Sequence, residues 1–392
     1  MSLIPQKLNL QNGNNIFTIN NDSTALQLYN KYELPNAIPS TNQTILFQNN
    51  GTSTFTNLIS SINNYYVSKS GDDTTGLGSI FSPWATITKA INFLNALSGD
   101  INSVINVGCG VYSESLPTIT KSNINIVGGA TLPNLTTING NITYNMSQNS
   151  SSYSVGGISS ILINGVLEHD NSTIYSNSLV INNVIIVAPT GKNCIVTSGI
   201  GGGLLADLTI QNSVLYMCDN TNAISITSTS IYMVNSQIQN NPLLTAGTQS
   251  MCIVGGSGRF NLFGCILTQT SNSSAVQPII SIVNSANATS SSTISSSTIQ
   301  YTSSASDAGT GLKCCIRFNN SSSANTYNLL NNLFICQGAT TTNGSVGQFL
   351  CVQKANVGSV SLLYFSNSAG STANHFPNAG LGLTKTAFIS VS

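Results

Sequence analysis

The chain has 392 residues; 11 are Lys or Arg and 11 are Asp or Glu, so charged side chains make up 6% and the formal net charge is zero. A soluble domain usually carries about 25%. So little charge excludes a body of helices with ionic outer faces, and the lack of a basic cluster excludes nucleic-acid binding by phosphate neutralisation. Ser, Thr, Asn and Gly take the place of charge, set around short runs of Ile, Val and Leu. That pattern suits a stack of strands with aliphatic side chains inside and hydroxyls and amides outside.

Residues 1 to about 63 hold short apolar pieces such as IFTI and TILFQ, separated by NNDS and QNNGTS. No helical period survives there, so the segment is expected to be an irregular N-terminal arm that orders against a partner. The opening MSLIPQKLNL lacks the long apolar core of a signal peptide. No stretch of the chain is long and apolar enough to suggest a membrane span.

In residues 64–98, YYVSKSGDDTTGLGS reads as a strand followed by a polar, Gly-rich loop. The following SPWATITKAINFLNALSG predicts an α-helix near 83–98, with Ser82 as N-cap, Pro83 as first helical residue and Gly99 as the stop. Trp84, Ile87, Ile91, Leu94 and Leu97 recur at spacings of three and four and give it one apolar face. A single amphipathic helix at the start of a strand stack would cover the open end of its core.

Beyond residue 100 an alternating strand, a small polar corner and a second strand recur, as in VINNVIIVA at 180–188 and TIQNSVLYM at 209–217. Corners placed at Asn183, Asn212, Asn235, Gly264, Ser297 and Asn332 lie 29, 23, 29, 33 and 35 residues apart. Such intervals fit solenoid coils of two or three strands with loops of variable length. The fold class is therefore all-β: a right-handed parallel β-helix over 64–392 with an N-terminal capping helix, preceded by the arm. Corner Asn side chains are expected to form ladders between coils. An antiparallel β-sandwich shows the same alternation; few hairpin signals and the lone helix weigh against it.

Nine cysteines include no C-x-x-C pair, which argues against a zinc or thioredoxin-type site. Their odd number and apolar surroundings suggest buried thiols acting as small hydrophobes, in a reducing compartment.

The stretch from Tyr65 to Asn95, with INVGCGVYSESLPTITKSNINIVGGA after it, resembles the start of the pectin-lyase-like right-handed β-helix superfamily. The matching positions are Tyr66, Val67 and Ser68, then Gly71 and Asp72, then Pro83, Trp84, Thr86 and Ile87. Ile105, Val107, Gly110, Val111 and Tyr112 follow, and finally Ile124, Ile126, Gly128 and Gly129. The resemblance implies the fold; the superfamily's functions include polysaccharide lyases, glycoside hydrolases, phage tailspikes and noncatalytic virion fibres.

Hydrolases of that superfamily use Asp residues on neighbouring turns, and its lyases use calcium-binding acids with an Arg or Lys base. Here residues 180–392 contain only Asp207, Asp219 and Asp307 as acids. Asp207 and Asp219 are 12 residues apart and could lie on different faces of one turn. Glu168, His169 and Asp170 form the densest polar cluster, but in a strand the two acids face one side and the histidine the other. Asp72 and Asp73 lack the ligand spacing of a calcium loop and read as a turn. GIGGGLL at 199–205 lacks the ending of a phosphate loop. Lys313 and Arg317, with Cys314 and Cys315 between them, read as an outward strand edge. Tyr216, Tyr232, Phe263, Tyr301 and Phe334 fall on successive coils and suggest one vertical stack, a core ladder if inward and a glycan or protein contact strip if outward.

No residue is assigned to catalysis, a cofactor or a metal. The reading is a noncatalytic structural virion protein, a surface spike, fibre or capsid-decorating protein. It would attach to capsid or other virion proteins through residues 1–63 and, by resemblance to viral fibres, form a homotrimer. A host surface glycan is a further candidate partner. The alternatives are a tailspike-like polysaccharide-degrading enzyme and a glycan-binding adhesin.

Overall fold

In the computed structural model, residues 63–98, 101–146, 154–171, 177–199, 206–217, 221–227, 229–240, 252–256, 259–271, 278–284, 291–303, 314–318 and 326–338 are described, along with strands alone before and after them. The chain divides into two units, Met1–Asn63 and Asn64–Ser392.

The first unit is more regular than its composition suggests. Strands Lys7–Asn12, Asn15–Asp22, Ala25–Leu28 and Tyr32–Glu33 pair antiparallel in chain order, and Gln43–Phe47 pairs antiparallel with Ser53–Asn57. An arm read as irregular thus carries local strand pairing.

In the second unit, three parallel sheets of 11, 9 and 9 strands rise side by side. The first runs from Asn63–Val67 to Leu362–Phe365, the second from Gly110–Ser113 to Leu333–Gly338, and the third from Ile142–Tyr144 to Ile389–Val391. From Ile124–Gly128 to Val352–Lys354, successive strands enter the first, second and third sheet in turn, so each of these coils adds one strand to each face. Pairing of named strands here is parallel throughout, which removes the sandwich alternative. The class is a right-handed parallel β-helix.

Parallel registry puts like over like. On the first sheet Ile105, Ile126, Ile158, Ile181, Ile210, Met233, Leu262, Ile294 and Leu329 are partners from coil to coil, all buried. Each fully buried aliphatic side chain contributes about 1.5–3 kcal/mol relative to exposure. A second buried column, Leu179, Leu208, Ile231 and Phe260, runs beside it on the same sheet, and such columns produce a continuous core from a sequence with very few charges.

The bend between first and second sheets is a single residue in the left-handed region: Ser160, Asn183, Asn212, Asn235, Gly264, Ser296 and Asn331, with φ from 48° to 62°. Asn and Gly adopt that conformation at least cost. In the last two coils the bend falls one residue earlier than the Ser297 and Asn332 expected from sequence. Those two side chains instead turn inward and are buried. They extend a hydrogen-bond ladder up the inner side of the corner. Val184 N–H donates to Ser213 Oγ (3.1 Å), Ser213 N–H to Ser236 Oγ (3.1 Å), Cys265 N–H to Ser297 Oγ (3.1 Å) and Ser297 N–H to Asn332 Oδ1 (3.0 Å). Serine hydroxyls carry most of this ladder. Amide ladders do occur at the far end of the second sheet, where Asn164 donates to Asn139 (2.8 Å) and Asn139 to Ser113 (3.0 Å). Asn332 also donates to the Ile294 carbonyl (2.7 Å). Asn332→Ala is expected to leave buried polar groups unpaired and to cost about 2 kcal/mol, read as a lower urea midpoint.

The capping helix α1 spans Ile87–Ala96, with Thr86 as N-cap and Leu97 as C-cap. The sequence placed its start at Ser82 and Pro83. Those residues come too early because the chain is still extended at Trp84. Trp84 N–H donates to the Tyr66 carbonyl (3.0 Å), and Ser68 N–H donates to the Trp84 carbonyl (2.8 Å). Trp84 thus extends the edge of the first sheet before the helix begins. Ile87, Ala90, Ile91 and Leu94 then bury against the end of the core.

Candidate functional site

The acidic candidates are partly structural. Asp72 Oδ1 accepts the N–H groups of Thr74 and Thr75 (2.6 and 3.1 Å), closing an Asx turn, and these bonds hold its carboxyl below the ordinary range. Asp73 accepts from the backbone of Ala85 and Thr86 (2.8 and 3.1 Å) and from the Thr86 hydroxyl (2.6 Å). Glu114, not singled out in the sequence, accepts from the N–H groups of Ile87 and Thr88 (3.2 and 2.9 Å) and from Thr88 Oγ1 (2.8 Å). The two carboxylates occupy the positive end of α1 and satisfy its unpaired N–H groups. Only folding brings Glu114 there, some 26 residues from its partners.

The Glu168–His169–Asp170 cluster lies in strand Leu167–Asn171 of the third sheet. As the period of two requires, Glu168 and Asp170 face outward and His169 faces the core. Thr143 Oγ1 donates to Glu168 (2.9 Å), and Asn145 Nδ2 donates to Asp170 (2.9 Å). His169 stacks in register between Tyr144 and Thr197 and is fully buried. Neither of its ring nitrogens has a hydrogen-bond partner, and burial pushes its pKa down to about 4, against a smaller opposing pull from Asp170. Tyr144 reaches across the core to donate to the Gly157 carbonyl (2.7 Å). Gly156 makes room for it: a Cβ there would stand 2.8 Å from the tyrosine ring.

Asp207 sits on the outer side of the first sheet, a different face from Glu168 and Asp170. Asp219, Asp307, Lys313 and most of 199–205 lie outside the described residues. Among the described residues, no three His, Cys, Asp or Glu side chains gather as a metal site would require. The cysteines with described side chains are reduced: Cys194, Cys265, Cys314 and Cys315 are buried, and Cys109 is exposed. Cys314 and Cys315 therefore do not form an outward edge. Both are buried, and Cys315 joins the core, where its Sγ donates to the Ile299 carbonyl (3.3 Å).

The five aromatics do not form one stack. Tyr216 faces outward from the second sheet and Tyr232 from the first, while Phe263 lies at the corner. Tyr301 and Phe334 are buried in the core. They stand at different offsets from their bends: Tyr216 four residues after Asn212, Tyr232 three before Asn235, Phe263 one before Gly264, Tyr301 five after Ser296 and Phe334 three after Asn331.

The outer side of the second sheet carries an arrangement that sequence reading missed. In register from coil to coil its first position on the side away from the core is Val111, Thr137, Leu162, Ile185, Val214, Gln237, Ile266, Thr298 and Leu333, of which Thr137 is buried. Val111 is 53% exposed and Ile266 43%. No Asp, Glu, Lys or Arg occurs in any of the nine strands, whereas Glu168, Asp170 and Arg317 stand in the third sheet and Asp207 in the first. The sequence signal was present as doublets, such as Ile185–Ile186, Val214–Leu215 and Ile266–Leu267, in which both faces of a strand are apolar.

The sequence matches no protein-family model and no curated protein. Solved structures that overlay on it include pectin methylesterase PemA from Erwinia chrysanthemi, with 14% identity over 84% of this chain and 97% of that one, at a TM-score of 0.34. ORF18 of Geobacillus virus E2 overlays with 12% identity over 78% and 69%, at 0.31. The A-module of mannuronan C-5 epimerase AlgE6 from Azotobacter vinelandii overlays with 12% identity over 74% and 94%, at 0.33. The parallel β-helix itself is defined by the strand pairing of this chain, without them.

Proposed function

We propose that the protein is a noncatalytic structural component of a virus particle, a surface spike, fibre or capsid-decorating protein, held to the particle through residues 1–63. The observation that supports this reading is the near absence of charge on the sheet faces of the described coils. Burying a charge against a neighbour costs several kcal/mol of desolvation, so a solenoid wrapped in hydroxyls, amides and aliphatics packs into a repeated assembly with little penalty. Particles purified from cells producing the chain are expected to contain it by mass spectrometry and to bind antibody against it at their surface. A chain lacking residues 1–63 is expected to fold yet be missing from them. Recovery of the full chain only in the particle-free supernatant would refute the proposal.

One observation favours a second reading, glycan cleavage. Glu168 and Asp170 share an outward face of one strand, two residues apart, and glycosidases use a pair of carboxylates flanking the scissile bond. Release of reducing ends from host glycans, abolished by Glu168→Gln and by Asp170→Asn in chains that remain folded, would move the assignment to an enzyme.

A further inference from the structure

We infer that the turn at Ile80 and Phe81 is a second contact with the particle, seated in an uncharged apolar pocket of the same protein that holds residues 1–63. This contact rests on the virion reading above and lies outside the segment named there. Leu77, Ile80 and Phe81 are 76%, 60% and 95% exposed, and Phe81 is the most exposed large apolar side chain among the described residues. They stand on one short loop with no charged residue from Thr74 to Thr88. Together they expose on the order of 400 Å², a patch of the size that is often functional on a monomer.

The turn is held rigidly. Ser82 N–H donates to the Ser79 carbonyl (3.2 Å) and Leu77 N–H to the Ser82 carbonyl (2.9 Å), which puts Ile80 and Phe81 at the apex. At its base Tyr66 N–H donates to the Gly78 carbonyl (2.9 Å) and the Trp84 indole N–H to the Gly76 carbonyl (3.0 Å). Side chains held out from a fixed turn cannot fold back to cover themselves, and a preorganised anchor loses little freedom on binding. One aromatic flanked by two aliphatics has the form of an interface hot spot entering a pocket. Chain connection names the occupant. Tyr66, bonded to the base of the turn, comes three residues after Asn63, where the first unit ends. Whatever protein holds residues 1–63 is therefore tethered within reach of the turn, at an effective concentration of about a millimolar. A patch about half of the 800 Å² or so per partner in a stable interface is too small to hold alone, but it is sufficient once tethered. With no Lys or Arg between Thr74 and Thr88, the turn lacks the basic side chains that draw a loop to anionic lipid, which favours a protein pocket over a membrane.

The test adds purified full-length chain to particles from cells that do not make it, and measures the bound fraction against concentration by quantitative mass spectrometry. Phe81→Ser is expected to weaken binding by at least about 10-fold, and Leu77→Ser, Ile80→Ser and Phe81→Ser together by about 100-fold. Urea midpoints should stay at the wild-type value, because these exposed side chains cover no core. Leu132→Ser, at an exposed apolar residue on the loop before strand Thr136–Asn139, should bind as the wild type does. Wild-type affinity in the folded triple variant would overturn the contact and leave the virion reading standing. A wild type that does not bind the particles would sink both. A lowered urea midpoint in the free triple variant would show that the chain covers its own turn. Binding to phosphatidylcholine–phosphatidylserine vesicles, or self-assembly, that the triple variant loses would give the turn to lipid or to a second copy. Each of these last results would also overturn the contact.

Discussion

Trp84→Ala is expected to lower stability by about 3–5 kcal/mol, the cost of emptying a large aromatic site in a core. Trp84 is 2% exposed. It stacks on Tyr65 (5.5 Å between centroids, planes 10° apart) and meets Phe93 at 5.1 Å and 49°. Its indole N–H donates to the Gly76 carbonyl (3.0 Å). The ring also covers Gly78, whose φ is +71° and whose position leaves no room for a Cβ. Removing it therefore unseats the Gly-rich loop, the edge of the first sheet and helix α1 together. Urea unfolding followed by circular dichroism should show the drop in midpoint. Amide exchange at Ile91 and Leu94 should quicken before that of the central coils. An unchanged midpoint would mean that α1 does not seal the core.

The second large effect concerns acid. His169 is held neutral in the folded chain, with a pKa of about 4 against an ordinary 6.5. The unfolded chain takes up a proton as pH falls through about 6.5, while the folded chain resists until about 4. Between those values the unfolded state binds more protons, so stability declines as pH falls. The gap corresponds to about 3 kcal/mol, fully present above pH 6.5 or so and lost by about pH 4. His169→Leu should abolish this share of the acid sensitivity. At neutral pH the variant should be no less stable, since it replaces a buried imidazole that has no hydrogen-bond partner on either nitrogen. Urea midpoints of both chains at pH 7 and pH 4.5 decide the matter; parallel declines would show that His169 is not buried as a neutral group.

Much of the solenoid was legible in the chain. Alternation in VINNVIIVA and its relatives marked first- and second-sheet strands, and Asn183, Asn212, Asn235 and Gly264 marked the bends, because few residues tolerate positive φ. Legibility failed where two local patterns were compatible with the same residues. Ser82 and Pro83 have the chemistry of a helix start, but pairing of Trp84 with the first sheet delays the helix to Ile87. Ser297 and Asn332 look like bend residues, but their neighbours Ser296 and Asn331 take the left-handed conformation. The aromatic stack failed because counting coils says nothing about position around the perimeter: Tyr232 stands three residues before the bend at Asn235, whereas Tyr301 stands five after the bend at Ser296.

The candidate surface shows the division most clearly. That residues 185 and 186, 214 and 215, and 266 and 267 are apolar doublets is a property of the chain, as is the shortage of charge. Local pattern and composition follow from covalent order, so they can be read without coordinates. Which member of each doublet enters the core, and that the outward members fall in one column, depends on registry between strands some 23 to 35 residues apart. Registry is set by closure of each coil on the one beneath it, through core stacking and corner hydrogen bonds that exist only once the coils have met. The same holds for His169 inside, Glu168 and Asp170 outside, and Glu114 at the end of α1.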